Sequence, residues 1–235
     1  MNIVITGASK GLGKAIAARF AKDGIAHNLY LNARNEAILQ ATVLELSQHF
    51  TTSNFYYKAC DMSNKKEVQI FAEWVLQQTN SIDILINNAG SFTPGSVHSE
   101  ADGVLEQMIE TNLYSAYWLT KLLLPVMMKQ QSGHIFNMCS IASLQAYANG
   151  GSYSISKFAL AGFSKNLREE LKPHNIKVTA VYPGAVYTDS WANSGVDEKR
   201  LMQANDVAEM IVIASKLSPQ ACVEDIILRP QLGDL

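Results

Sequence analysis

Tyr153 and Lys157 stand four residues apart where a helical pattern begins, so both side chains project from one helix face. A free phenol titrates near 10 and is a poor acid or base at neutrality. A neighbouring ammonium favours phenolate, so Lys157 is expected to lower the pKa of Tyr153. Tyr153 could then give a proton to a carbonyl oxygen, or take one back in the reverse direction. Ser140 lies thirteen residues before Tyr153, at the end of the apolar run His134–Cys139. Its hydroxyl both donates and accepts, which suits holding a carbonyl beside the phenol. The spacing alone is weak, since Tyr117 and Lys121 repeat it inside a long helical pattern. That second pair is far from any strand end and is read as structural.

Another chemical signature opens the chain. Thr6-Gly7-Ala8-Ser9-Lys10-Gly11-Leu12-Gly13 joins an apolar run to a helical pattern. Glycines there let backbone approach a ligand, and the following helix N-terminus offers free N–H groups to a pyrophosphate. A nucleotide-triphosphate P-loop does not fit: five residues separate Gly7 from Gly13, and Lys14 is followed by Ala15 where Ser or Thr is needed. The G-x-G-x-x-G fingerprint fails too, with Ile16 at its last position. About 20 residues beyond the glycines, an NAD-binding fold carries a carboxylate for the ribose 2′-hydroxyl. Here that place is Ala33, followed by Arg34, with Lys10 inside the loop. Two cations suit a 2′-phosphate and predict NADP(H), with Glu36 as a mild counter-signal.

These residues must be carried by a scaffold. Apolar runs at Ile3–Thr6, Asn28–Ala33, Phe55–Ala59, Ile82–Asn87, His134–Cys139, Lys177–Tyr182 and Cys222–Leu228 lack clean alternation, as strands covered on both faces do. Helical patterns lie between them, at Leu12–Lys22, Asn35–His49, Lys65–Gln78, Leu105–Gln130, Tyr153–Leu171 and Asp206–Leu217. The alternation predicts a single α/β domain over residues 1–235: a Rossmann-type, doubly wound parallel sheet of about seven strands with helices on both faces. The 48% hydrophobic content can fill such a core, and a net charge of -2 gives no footprint for nucleic acid. Cys60, Cys139 and Cys222 are isolated and odd in number, so thiols in a reducing compartment are expected, with no metal centre. The start MNIVITGASK enters a strand without a charged leader, and the apolar stretch Leu119–Met128 is too short to span a bilayer. A cytoplasmic protein with no membrane partner is the expectation.

The T-G-x-x-x-G-x-G spacing, Asn87-Asn88-Ala89-Gly90 after the fourth strand, Asn112, Ser140, Tyr153-x-x-x-Lys157 and Pro183-Gly184 occur in the order found in short-chain dehydrogenases/reductases, which this sequence resembles over nearly its whole length. The resemblance implies a catalytic set of Asn112, Ser140, Tyr153 and Lys157, with the Asn112 backbone holding water near the lysine. It also implies cofactor contacts from Gly7, Ser9, Lys10, Gly11, Leu12, Gly13, Arg34, Asp61, Met62, Asn88, Ala89, Gly90, Tyr153, Lys157, Pro183, Gly184, Val186 and Thr188. Asp61 would meet the adenine amino group, and could equally cap the helix at Lys65.

Three readings of function follow. A short lid after Thr188, with Asp189, Trp191 and few large aliphatics, suits a flat ring stacked on Trp191 beside Ser140 and Tyr153. Together with the tail Glu224-Asp225-Ile226-Ile227-Leu228-Arg229-Pro230 it looks closer to bacterial sepiapterin-reductase-like members, with a small carbonyl substrate of pterin or dicarbonyl type. The second reading is a 3-oxoacyl-carrier-protein reductase. The third, of another class, is an NADP(H)-binding sensor without turnover. The stretch Leu113–Met128 is apolar nearly all round, and with the family likeness it points to a homodimer or homotetramer.

Overall fold

The computed structural model describes residues 1–188, 191 and 195–235. Seven parallel strands form one sheet in the order β3-β2-β1-β4-β5-β6-β7. They are β1 (Asn2–Ile5), β2 (Asn28–Ala33), β3 (Asn54–Ala59), β4 (Ile84–Asn87), β5 (Gly133–Met138), β6 (Ile176–Pro183) and β7 (Asp225–Leu228). The helices are α1 (Gly11–Ala21), α2 (Glu36–His49), α3 (Lys65–Gln78), α4 (Val104–Ile109), α5 (Ser115–Gln130), α6 (Gly151–Leu171) and α7 (Ala204–Ser215).

Each central strand is apolar on both faces, which explains the missing alternation. Ile3 and Ile5 of β1 pack with Leu29 and Leu31 under α1, α2 and α7. The residues between them, Val4 and Tyr30, point the other way, under α3, α5 and α6. Phe20, Val43 and Ile211 close the first layer; Phe71, Leu123 and Leu167 close the second. The expected doubly wound sheet is therefore present. The direction of winding reverses between β1 and β4, and the crevice at their carboxyl ends is where such sheets bind ligands.

Two expectations need correction. The ladders of β4 and β7 begin later than the apolar runs, because Ile82 and Cys222 to Glu224 lie outside the paired strands. The single helix expected over Leu105–Gln130 is two helices joined by a π-turn at Glu110–Tyr114. Asn112 sits at the centre of this turn, its side chain drawn off the helix surface by partners elsewhere. Among buried polar groups, Asn87 Nδ2 donates to Asn137 Oδ1 at 2.8 Å and Thr120 Oγ1 at 2.9 Å, and Asn137 Nδ2 donates to Ser164 Oγ at 2.8 Å. This chain ties β4 and β5 to α5 and α6 directly below the crevice.

Candidate active site

The glycine segment is held by side chains of its own neighbourhood. Gly7 and Gly11 have φ of 64° and 55°, in the left-handed region that favours glycine. Thr6 Oγ1 accepts from the backbone N–H groups of Asn88 and Ala89 at 3.0 and 2.9 Å. Asn88 Nδ2 donates back to the carbonyls of Thr6 and Gly7 at 2.9 and 3.0 Å. Thr42 Oγ1 donates to the Ser9 carbonyl at 2.7 Å, holding the loop's other side. The crossing is so close that a Cβ on Gly13 would lie 2.3 Å from Gly7 O and 2.7 Å from Asn88 Nδ2. Gly13→Ala must therefore push the loop open. It is expected to weaken dinucleotide binding at least about tenfold and to lower the melting temperature. Titration of protein fluorescence with NADPH and a thermal melt check this; unchanged affinity would refute the cradle.

The second strand end carries Arg34, which is exposed beside Asn35, the residue whose side chain caps α2 by accepting from Ile38 N at 3.0 Å. Lys10 stands at the N-cap of α1 in extended conformation. At the third strand end, Asp61 does not cap α3. Its Oδ1 accepts from Ser63 N and Oγ at 2.9 and 2.8 Å, and Asn64 is the cap. The Met62 side chain is buried in the core, so only its backbone can face a ligand. Lys10, Arg34, Asp61 and Met62 do not line the main cavity of the crevice.

That cavity, about 490 Å³, is lined by Leu12, Asn88 and Gly90 on the side of the glycine loop. Ser140, Tyr153 and Lys157 converge on it, with Pro183, Gly184, Val186, Thr188 and Trp191 opposite. Ala89 packs its side chain towards the core behind. Asp189 lies outside the described residues.

Around Tyr153 the geometry is specific. Its phenol shares the cavity with the Ser140 hydroxyl. Phe92 meets the ring edge-on, with centroids 4.9 Å apart at 83°. Lys157 Nζ is 5.9 Å from the ring centroid and donates to Met138 O at 2.7 Å. Burial pushes the Tyr153 phenol up to about 12, against a downward pull from the Ser140 hydroxyl. The expected lowering by Lys157 is thus overturned: desolvation dominates, and it also holds the ammonium itself down to about 8. The phenol keeps its proton at neutrality, and is a weaker acid than a free phenol until a bound ligand alters its surroundings.

Asn112 reaches this group through its side chain. Its Nδ2 donates to Ser91 O at 3.0 Å and Ser156 Oγ at 2.9 Å, and its Oδ1 accepts from Ser91 N at 2.8 Å. Ser156 lies between Tyr153 and Lys157 on α6, so the π-turn is fastened to the helix bearing both. A Cβ on Gly90 would come within 3.0 Å of Asn112 Oδ1 and 3.6 Å of Lys157 Nζ. Phe92, Ser91, Tyr147 and Asp234 were not foreseen from the sequence. An aromatic two residues past N-N-A-G was the available sign for Phe92. Asp234 reaches the cavity only because the turn Pro230–Gly233 brings the tail back, where Arg229 pairs with it.

The short chain dehydrogenase family model matches residues 1–199. The chain belongs to this family of oxidoreductases. The sepiapterin reductase of Chlorobaculum tepidum is 33% identical over 241 residues, covering 99% of this chain and 97% of that protein. An uncharacterized oxidoreductase of Staphylococcus aureus is 29% identical, over 97% of this chain and 96% of its own length. Among solved structures, an alcohol dehydrogenase of the archaeon Thermococcus sibiricus complexed with 5-hydroxy-NADP superposes with a TM-score of 0.89 at 27% identity, covering 98% of this chain and 96% of that one. The L-sorbose reductase of Gluconobacter frateurii with NADPH and L-sorbose gives a TM-score of 0.88 at 27% identity, over 97% and 94% of the two chains. The sheet and its flanking helices are thus those of solved members that superpose over nearly the whole chain. Among the described residues no helix is long and apolar enough to cross a membrane, and no cluster of potential metal ligands occurs.

Proposed function

We propose that this chain is an NADP(H)-dependent carbonyl reductase in which Tyr153 is the proton donor, and that its substrate is a flat, sepiapterin-like or vicinal-dicarbonyl compound. The observation that carries the reading is the cavity that begins at the glycine loop and brings Tyr153, Ser140 and Lys157 together, with Lys157 Nζ 5.9 Å from the Tyr153 ring centroid. Gly7, Ser9, Gly11, Leu12 and Gly13 would hold the pyrophosphate, Lys10 and Arg34 the 2′-phosphate, and Asp61 with the Met62 backbone the adenine. Asn88, Ala89 and Gly90 would underlie the ribose, and Pro183, Gly184, Val186 and Thr188 the nicotinamide. When bound, NADPH supplies hydride to the carbonyl carbon. Ser140 donates to the carbonyl oxygen and orients it, and Tyr153 gives that oxygen its proton. The Lys157 ammonium, buried beneath the ring, stabilises the phenolate left behind. The Asn112 side chain holds the π-turn against α6, keeping Lys157 in place.

The substrate class rests on the cavity walls. Phe92 and Trp191 offer aromatic faces, and the Asp234 carboxylate is an acceptor for the ring N–H groups that pterins carry. A long acyl chain would find a carboxylate where it needs apolar surface. The enzyme is expected to consume NADPH with sepiapterin or diketones, faster than with NADH and faster than with 3-oxoacyl thioesters. Absorbance of the reduced nicotinamide across such a panel tests this. Turnover confined to the thioesters would select the carrier-protein reductase instead, and NADPH binding without turnover the sensor. The proposal includes one domain over residues 1–235 in a reducing cytoplasm, consistent with three unpaired cysteines. It also includes self-association through α5, the π-turn before it and α6, where Tyr114, Tyr117, Ile155 and Phe158 are each exposed.

A further inference from the structure

A carboxylate from a distant loop caps the catalytic helix. Gly150, at the N-cap of α6, has no side chain to receive the helix's free N–H groups. Glu100 does so from 52 positions away: its Oε1 accepts from Ser152 N at 2.9 Å, and its Oε2 accepts from Ser152 Oγ. These two donors hold the carboxyl below its ordinary range, so it is ionised at neutrality. Two glycines leave the space it uses. A Cβ on Gly95 would lie 2.7 Å from Glu100 Cγ, and one on Gly151 2.0 Å from Glu100 Oε1. The backbone is stitched alongside, with Gly95 N donating to Asn149 O at 3.1 Å and Ser96 Oγ to Asn149 Oδ1 at 3.2 Å.

The same loop is fastened at its other end, where Ser91 exchanges two hydrogen bonds with Asn112. Phe92 sits between these fastenings, edge-on to Tyr153, which directly follows Ser152. We propose that Glu100 is a positioning residue: its clasp on Ser152 fixes the loop 91–100 against α6, and so sets the place of Phe92 and the width of the slot over Tyr153. This rests on the reading of Tyr153 as proton donor. A cap with a purely structural role would only stabilise α6. The clasp described here also governs how a flat carbonyl compound is seated.

The test uses the full-length enzyme with NADPH and the best substrate of the panel. Glu100→Ala is expected to raise KM about tenfold and to lower kcat less, with NADPH affinity unchanged. Glu100→Gln can still accept from Ser152 N and donate to Ser152 Oγ, and is expected to restore most of KM. Gly95→Ala crowds the carboxylate without removing it and should repeat the Glu100→Ala defect. Hydrogen exchange gives a readout without turnover: amides of 91–100 should exchange faster in Glu100→Ala and return in Glu100→Gln. A lower melting temperature with KM and exchange of 91–100 unchanged would overturn the proposal, leaving Glu100 a plain cap. If Tyr153→Phe keeps full turnover, the proton-donor reading fails separately, and exchange alone decides whether Glu100 holds the loop.

Discussion

Replacing Tyr153 with phenylalanine is expected to lower kcat about 10³-fold while NADPH binding stays within about twofold of the parent. The substitution removes one oxygen and keeps the ring, so the edge-on contact with Phe92 survives. What disappears is the proton held beside Ser140. Steady-state kinetics with a fluorescence titration of NADPH separates the two quantities. Equal loss of binding and turnover would mean that the ring, rather than its hydroxyl, is what the site uses. Full retention of turnover would place the proton donor elsewhere.

Lys157→Met should give the other large effect, in two directions at once. Turnover is expected to fall at least about a hundredfold, since the phenolate left on Tyr153 loses its cation. Stability of the free protein is expected to rise. Burial holds the ammonium down to about 8 from 10.5, so below that pH both folded and unfolded chains carry the charge and the full desolvation penalty is present. Its size is on the order of 3 kcal/mol at neutral pH. Losing the bond to Met138 O offsets part of the gain, leaving roughly 1 kcal/mol in favour of methionine. Between about 8 and 10.5 the folded chain has shed its proton while the unfolded one keeps it, so the parent's stability climbs with pH across that window. Denaturant melts from pH 7 to 10 should show the rise in the parent and its absence in the variant. A variant less stable than the parent at pH 7 contradicts the sign. The parent's reduction rate should also decline above about pH 8, as Lys157 loses its charge.

Much of this architecture was legible because strand ends carry chemistry in doubly wound sheets. Runs rich in apolar residues without strict alternation, such as Ile82–Asn87 and His134–Cys139, are the mark of two-sided burial, and polar residues just after them, Asn88 and Ser140, fell into the crevice. Local motifs could be read because their parts are neighbours: Gly7 to Gly13, or Tyr153 with Lys157. The pKa of Tyr153 could not, since spacing reveals a nearby cation but not how much water both groups lose. The π-turn at Asn112 was hidden for a related reason, as its partners Ser91 and Ser156 lie 21 and 44 residues away. That Met62 buries its side chain in the core and leaves only its backbone for a ligand could not be read from the chain. Glu100 and Asp234 carry no local sign at all; each acts only where the fold returns its segment to a helix or a cavity.

The strand order has a consequence for the chain as it leaves the ribosome. β1 is made before the other strands of this sheet, yet its partner on one side is β4, with Ile3 beside Ile84 and Ile5 beside Ile86. Until some 80 residues later that edge of β1 has nothing to pair with, although β2 can already cover the other. A nascent β1-β2-β3 unit therefore exposes an apolar, hydrogen-bond-hungry edge at what will become the middle of the sheet. The glycine loop is unfinished for the same interval, because Thr6 awaits Asn88 and Ala89. Pauses or truncations before Asn88 and Ala89 should yield sticky fragments that bind no nucleotide, and completion of β4 only moves the open edge onto β4 itself until β5 is made.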